Sequence, residues 1–271
     1  MKGFDQQTLR DLEFHQIREW LAAFSIGATA RKRLEELTPN NDFDAIEFEL
    51  LRLNEFKRIR VEGESFPALD FEELLAEIKL LPIHNAVLQQ EGFIRITRAS
   101  ELVNHMLHFF DKRSQDFPNL FALLNQVYFT RELIEAIEKV FDRRGQIKDD
   151  ASPELYTIRQ QIAKLRNQIN RNFDKEMRRY LKEGLLGDTK EAFINERRVL
   201  TVQSSHKRKI GGMVVGSSKT GSLTFIEPAI NIPLNNELEM SLDDERKEIF
   251  RILQELTREI AHHLPLIQSY Q

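Results

Sequence analysis

Apolar residues recur at three- and four-residue steps through the first 150 positions, the period of amphipathic helices. "LRDLEFHQIREWLAAF" sets Leu9, Leu12, Ile17, Leu21 and Phe24 near one face and ends at Gly27. "ATARKRLEEL" stops at Thr38-Pro39, where proline forbids continuation. "DFDAIEFELLRLNEFKRIR" predicts a strong amphipathic helix running to Gly63. Further helices are predicted over "DFEELLAEIKLL", "EGFIRITRASELVNHMLHFFDKRS", "FPNLFALLNQ" and "TRELIEAIEKVFD". The connections are short, as in a packed bundle, and the many phenylalanines of this region read as core.

After a turn at Gly145 and Asp149-Asp150 the pattern narrows. Ser152 suits an N-cap and Pro153 a first helical position. Leu155, Ile158, Ile162, Leu165, Ile169, Phe173, Met177 and Tyr180 then form a near-heptad stripe, the mark of a coiled-coil seam. About 30 residues at ~1.5 Å each predict an arm of roughly 45 Å. The period next changes to two: "AFIN", "RVLTVQ", "IGGMVVGS" and "SLTFIEP" read as strands of a small antiparallel sheet. A second seam follows, through Leu238, Leu242, Glu245, Ile249, Ile252, Leu256 and Ile260. Neither stripe is wide enough to be buried alone, so each needs the other. The fold expected is mainly α: a helical bundle body with a long antiparallel two-helix lever carrying a small antiparallel β clamp at its tip. The expected domains are a helical core over 1–150, an outgoing lever helix over 151–186, a β-rich clamp over 187–230 and a returning lever helix over 231–271.

Composition adds little to this except in its charge. The 271 residues are 41% hydrophobic and 30% charged, and no cysteine is present, which excludes disulfides and thiolate metal sites. The charged N-terminus lacks a signal peptide's apolar core, and no apolar run approaches the ~20 residues that span a bilayer. A cytoplasmic protein without a membrane partner is expected. The net charge is −4, yet Tyr156 to Ser222 carries 15 Lys/Arg against 6 Asp/Glu, while the remainder carries 24 against 37. A basic middle in an acidic chain suggests a patch for a polyanion.

The stretch "GSSKTGS" at 216–222 approaches a phosphate-binding loop but leads from strand to strand, and no lysine follows Gly221. It reads as a hairpin turn with Gly221 at positive φ and Lys219 exposed at its tip. "SSHKRKIGG" puts Lys207, Arg208 and Lys209 in a second loop, and "NERRVL" adds Arg197 and Arg198. These six are the candidate polyanion-binding residues, with Arg178, Arg179 and Lys182 closing the end of the arm. Basic loops without aromatic tips track phosphates rather than read bases. The plainer reading is that they keep exposed hairpins soluble and block edge pairing. Glu101, His105 and His108 share a helix face without further ligands, and His262 and His263 point apart on theirs. Phe71 and Glu73 are placed within a helix, as core. No catalytic constellation, cofactor site or metal site is expected in this chain.

"KDDASPELYTIRQQI" and "GSLTFIEPAINIPLNNELEMSLDDERKEIFRIL" resemble the bacterial MutS family, and more closely its second, recombination-suppressing subfamily. "LEFHQIREWLAAF…LTPNNDFDAI" is similar to that subfamily's opening helices, so the resemblance spans essentially the whole chain. The Glu227-Pro228 and Asn235-Asn236 pairs carry it in combination with "TGSLTFI". "NERRVLTVQ" and "GGMVVGSSKTG" depart from the subfamily's Gly-Arg-Tyr-type strand and His-Asp pair, as a divergent branch would. The resemblance implies core, lever and clamp parts of a MutS-like ATPase acting on branched or mismatched DNA, in recombination control or mismatch repair. It implies ATP and Mg²⁺ in an ATPase domain of a longer, homodimeric parent, with a C-terminal nuclease in many members. The alternatives are a ribosome-, RNA- or protein-docking arm of a quality-control factor, and an enzyme with an unrecognised site.

Overall fold

The computed structural model describes residues 6–271, Gln6 by its backbone alone. The fold is mainly α with one small antiparallel sheet, and the chain divides into two compact units, residues 1–148 with 253–271, and residues 149–252.

In the first unit, the single opening helix predicted by the pattern is two, α1 (Gln6–Asp11) and α2 (Phe14–Ala23). Glu13 between them takes a left-handed conformation at φ 53°, which ends a helix. The apolar face of α2 stays largely open, with Phe24 86% exposed and only Ala22 buried. Gly27 starts α3 (Ala28–Glu35) without a capping side chain. The Glu73 carboxylate supplies what is missing, accepting a hydrogen bond from the Thr29 amide. This corrects the placement of Phe71 and Glu73 in a helix: both lie on irregular backbone before α5 (Leu75–Leu80), because Glu73 is drawn to the amides of α3.

Asp42 caps α4 (Phe43–Val61) through the Asp44 and Ala45 amides at 3.1 and 3.2 Å. The amphipathic reading holds only for a narrow face, where Glu55 and Ile59 are buried; Phe43, Leu50, Leu53 and Val61 are exposed. The core forms around Ile59, Phe109, Phe110, Phe117 and Leu124, joined by the half-buried Phe66. Phe109 and Phe110 lie at the end of α6 (Gln90–Asp111), and Phe66 meets Phe109 edge-on at 5.2 Å. Phe117 precedes α7 (Pro118–Phe121), whose first amides are held by buried Glu55, at 3.1 Å to Asn119 and 2.8 Å to Leu120. A 3-10 turn over Ala122–Leu124 leads on to α8 (Glu132–Val140). The C-terminal residues join this unit: Leu88 donates its amide to Thr257 at 3.0 Å, and Gln271, past α11 (Leu264–Ser269), accepts from the Leu74 amide at 2.9 Å.

The second unit is built on α9 (Pro153–Lys182) and the part of α10 (Ile232–Ala261) up to Ile252. Ser152 caps α9, its hydroxyl accepting from the Leu155 amide at 2.9 Å. The seam expected on α9 is the face it buries, through Leu155, Ile162, Leu165, Ile169, Phe173 and Tyr180. The two helices run antiparallel, since partners on α10 fall in number as those on α9 rise. Ser152 meets Glu248 at 2.6 Å, Arg159 meets Glu245 at 2.8 Å, Gln161 meets Glu237 at 2.7 Å, and the Ile169 carbonyl meets Asn231 at 3.1 Å. The seam of α10 is more polar than its hydropathy predicts: Asn231, Asn235, Glu248 and Ile252 are buried, while Leu238, Leu242, Glu245 and Ile249 are half-buried.

Between the helices lie β1 (Leu186–Ile194), β2 (Arg197–Gln203), β3 (Gly212–Ser217) and β4 (Leu223–Pro228), in the order β1-β2-β4-β3 with every pair antiparallel. Leu186, Leu200, Val202, Ile210 and Ile226 pack on Phe173 and Tyr180, so the sheet is fastened to the last turns of α9.

Candidate nucleic-acid interface

The basic loops are held out by short, well-determined connections. Asn195 and Glu196 join β1 to β2 with φ of 48° and 64°, the twist a two-residue hairpin requires. The turn between β3 and β4 is closed by the Ser218 amide donating to the Leu223 carbonyl at 2.9 Å and the Gly221 amide donating to the Ser218 carbonyl at 2.9 Å. Gly221 takes φ 70°, and Lys219 is exposed. "GSSKTGS" therefore leads from strand to strand, and its amides are not presented by a helix N-terminus; these residues do not fit the phosphates of a nucleotide.

"SSHKRK" is a 3-10 helix over Ser204–Lys209, where a loop was expected. Lys207, Arg208 and Lys209 are exposed on it. The element is anchored at its end, where Ile210 is buried against the sheet and the Gly211 amide donates to the Tyr180 hydroxyl at 3.2 Å. Three cations thus fan out from one turn of this element near the C-terminal end of α9, on a base that packing holds in place.

Arg197 and Arg198 are differently employed. Arg197 reaches the fully buried carboxylate of Glu227 at 3.1 Å, Glu239 at 2.9 Å and the Asn236 side-chain carbonyl at 3.0 Å. Burial acts to lower the pKa of its guanidinium, but the bonds and charges of Glu227 and Glu239 outweigh it and raise the group above arginine's ordinary value. Arg198 bonds Glu191 at 2.6 Å and Asp174 at 3.1 Å, and stacks over the Phe173 ring at 4.2 Å. Neither guanidinium is presented to solvent as the loop lysines are; each fastens the sheet to a helix.

Glu227 is the centre of that fastening. Besides Arg197 it accepts from the Asn235 amide group at 2.6 Å, while Asn231 donates to the Ile169 carbonyl. A charge taken fully out of water is tolerable only when paired and hydrogen-bonded. The Glu227-Pro228 and Asn235-Asn236 pairs, legible in the sequence only as a pattern, thus converge on one arginine from β2. Sequence reasoning gave this network no role, because Arg197 meets its partners across 30 to 42 residues of chain. An open cleft of about 750 Å³ lies beside it, walled by Phe193, Met213, Leu238 and Leu242 with Arg166 and Arg246. Among the described residues no helix is long and apolar enough to cross a membrane.

No family model matches the chain. Among curated proteins it is similar to the endonuclease MutS2 of Caldicellulosiruptor bescii, 28% identical over 270 residues that make up 98% of this chain and 33% of that protein. The endonuclease MutS2 of Aquifex aeolicus is 28% identical over 267 residues, 98% of this chain and 35% of its own length. The putative endonuclease MutS2 of Bacillus subtilis is 28% identical over 262 residues, 95% and 33%. The chain spans about a third of the length of the curated relatives it matches.

Proposed function

We propose, from the premise that the chain is MutS2-family sequence along nearly its whole length, that its helix pair and sheet are a lever and clamp that grip the phosphate backbone of DNA. The observation that carries this reading is the cluster of exposed cations, Lys207, Arg208 and Lys209, on a 3-10 element anchored at Ile210 and Gly211, with Lys219 exposed on the neighbouring turn. Cations held in place by the packing beneath them meet phosphates with little ordering cost, and they carry no base readout. Contact of this kind is independent of sequence and steeply dependent on salt.

The same reading extends to a longer parent. There an ATPase domain holding ATP and Mg²⁺ drives the lever, and a homodimer brings two clamps to one branched or mismatched duplex in recombination control or repair. A single clamp binds weakly alone, since the second contact's effective concentration is lost without the dimer. No step of that chemistry is assigned to residues of this chain. Cytoplasmic location belongs to the same reading.

The test is binding of fluorescent linear and four-way-junction DNA across a KCl series, with Lys207→Glu/Arg208→Glu/Lys209→Glu beside the parent. The expected result is a loss of affinity on both ligands and a shallower salt dependence, by about three in the slope of log K against log salt. Unchanged affinity of the variant at low salt removes the loop from the binding surface.

A further inference from the structure

The outer face of α9 holds a feature that the loops do not account for. Lys164, Arg171, Lys175, Arg178 and Lys182 follow one another at steps of seven, four, three and four residues, which at 3.6 residues per turn keeps them on one line. That line lies opposite the buried seam of Ile162, Leu165, Ile169 and Phe173. All five are exposed, and none has an acidic partner among the described residues; Arg171 bonds only the Asn167 carbonyl of its own helix. The acidic residues of this stretch, Asp174 and Glu176, stand off the line and are engaged by Arg198 and Arg179. From Lys164 to Lys182 the line covers about 27 Å at 1.5 Å per residue.

We infer that this stripe is a second contact for the phosphate backbone of duplex DNA, separate from the 3-10 loop and on the other side of α9. It rests on the proposed DNA-binding reading and deepens it by assigning a further surface. Like-charged side chains in a straight row repel one another, and a linear polyanion is the ligand that relieves all of them at once. The intervening outward positions, Asn167 and Gln168, add amide donors and no apolar anchor. Protein interfaces are centred on buried aromatic or aliphatic side chains, which the stripe lacks. A membrane-surface helix needs an apolar face to bury in lipid, and that of α9 is consumed by the sheet and by α10. The geometry therefore favours nucleic acid over an acidic protein or a lipid surface.

The experiment uses the 271-residue chain, with Arg171→Gln/Lys175→Gln/Arg178→Gln made alone and in the Lys207→Glu/Arg208→Glu/Lys209→Glu background. A 30-base-pair DNA duplex and an RNA duplex of equal length are titrated across KCl. The stripe variant is expected to bind DNA roughly tenfold or more weakly, with the salt slope lowered by about three, in both backgrounds. A stripe variant that binds DNA as the parent does, while the loop variant is weakened, overturns the stripe and leaves the loop reading standing. Parental binding by both variants overturns the two together. Loss confined to the RNA duplex overturns the assignment to DNA. Circular dichroism checks that α9 is retained, and Lys164→Gln/Lys182→Gln, at the ends of the row, gives the same readout with a slope change of about two should the triple variant fold poorly.

Discussion

The carboxylate of Glu227 has no access to solvent and lies 3.1 Å from the guanidinium of Arg197. The pair joins the end of β4 to the start of β2, and through Asn235 and Asn236 it also takes hold of the first turns of α10. Removing Arg197 leaves Glu227 a fully buried carboxylate without a cation beside it, whereas Arg197 keeps Glu239 if Glu227 is removed. Arg197→Ala is expected to cost about 3–5 kcal/mol in urea unfolding. The double variant Arg197→Met/Glu227→Leu should recover a large part of that loss. A single variant within about 0.5 kcal/mol of the parent would show that the network contributes little to holding the sheet.

Ser152 does two jobs with one hydroxyl: it accepts from the Leu155 amide and donates to Glu248 at 2.6 Å. The hydrogen bond from Arg251 holds the Glu248 carboxyl below its ordinary value of 4.5; burial works the other way, and Ser152 and the Arg251 charge add to the lowering. A carboxyl with a depressed folded-state pKa contributes stability that is fully present above its unfolded value. That stability is lost as pH falls from about 4.5 through the lower folded value. Unfolding free energies of the parent and Glu248→Gln should therefore differ at pH 7 and converge on acidification through that window. A difference that stays constant with pH would remove the carboxylate from acid stability. Ser152→Ala should cost at least the ~1 kcal/mol of a lost helix cap.

The adjacent glycines Gly211 and Gly212 should respond differently to alanine. A Cβ on Gly212 would run into the Glu227 carbonyl and approach Ile226 Cγ2 at 2.8 Å, because Gly212 pairs directly with Pro228 across β3 and β4. A Cβ on Gly211 would meet only the Tyr180 hydroxyl, at 3.9 Å. Gly212→Ala is expected to destabilise by roughly 1–3 kcal/mol, as overpacking does, and Gly211→Ala by well under that. Thermal melts of the two variants side by side are sufficient, and equal melting temperatures would contradict the register of β3.

Glu73 caps a helix 44 residues away in sequence, through the Thr29 amide. Glu73→Ala should cost about 1 kcal/mol and raise hydrogen exchange selectively at the first amides of α3. Unchanged protection there would mean that those amides do not depend on it.

These residues also mark how far the sequence was legible. The seam of α9 could be read directly, because its partners are apolar and hydropathy carries the heptad spacing. That of α10 was displaced toward Asn231, Asn235 and Glu248, whose burial is made tolerable by Ile169, Glu227 and Ser152, partners that sequence spacing does not reveal. The residues from Phe71 to Leu74 carry a helical pattern but not a helix, since Glu73 serves α3 instead. The exposed lysines of the candidate interface were legible because turn chemistry and charge are local properties. The engagement of Arg197 and Arg198 by carboxylates was not, because an arginine looks the same in sequence whether it is free or paired.

The first and last cross-links between α9 and α10, Ser152 with Glu248 and Ile169 with Asn231, share one offset. Sliding either rod along its neighbour by a single pitch of about 5.4 Å would break both of these bonds together and take the buried Glu248 carboxylate away from Ser152. Telescoping is thereby penalised. Along its length the pair resists shear, from the Glu248 end to the Asn231 end, where β4 meets α10.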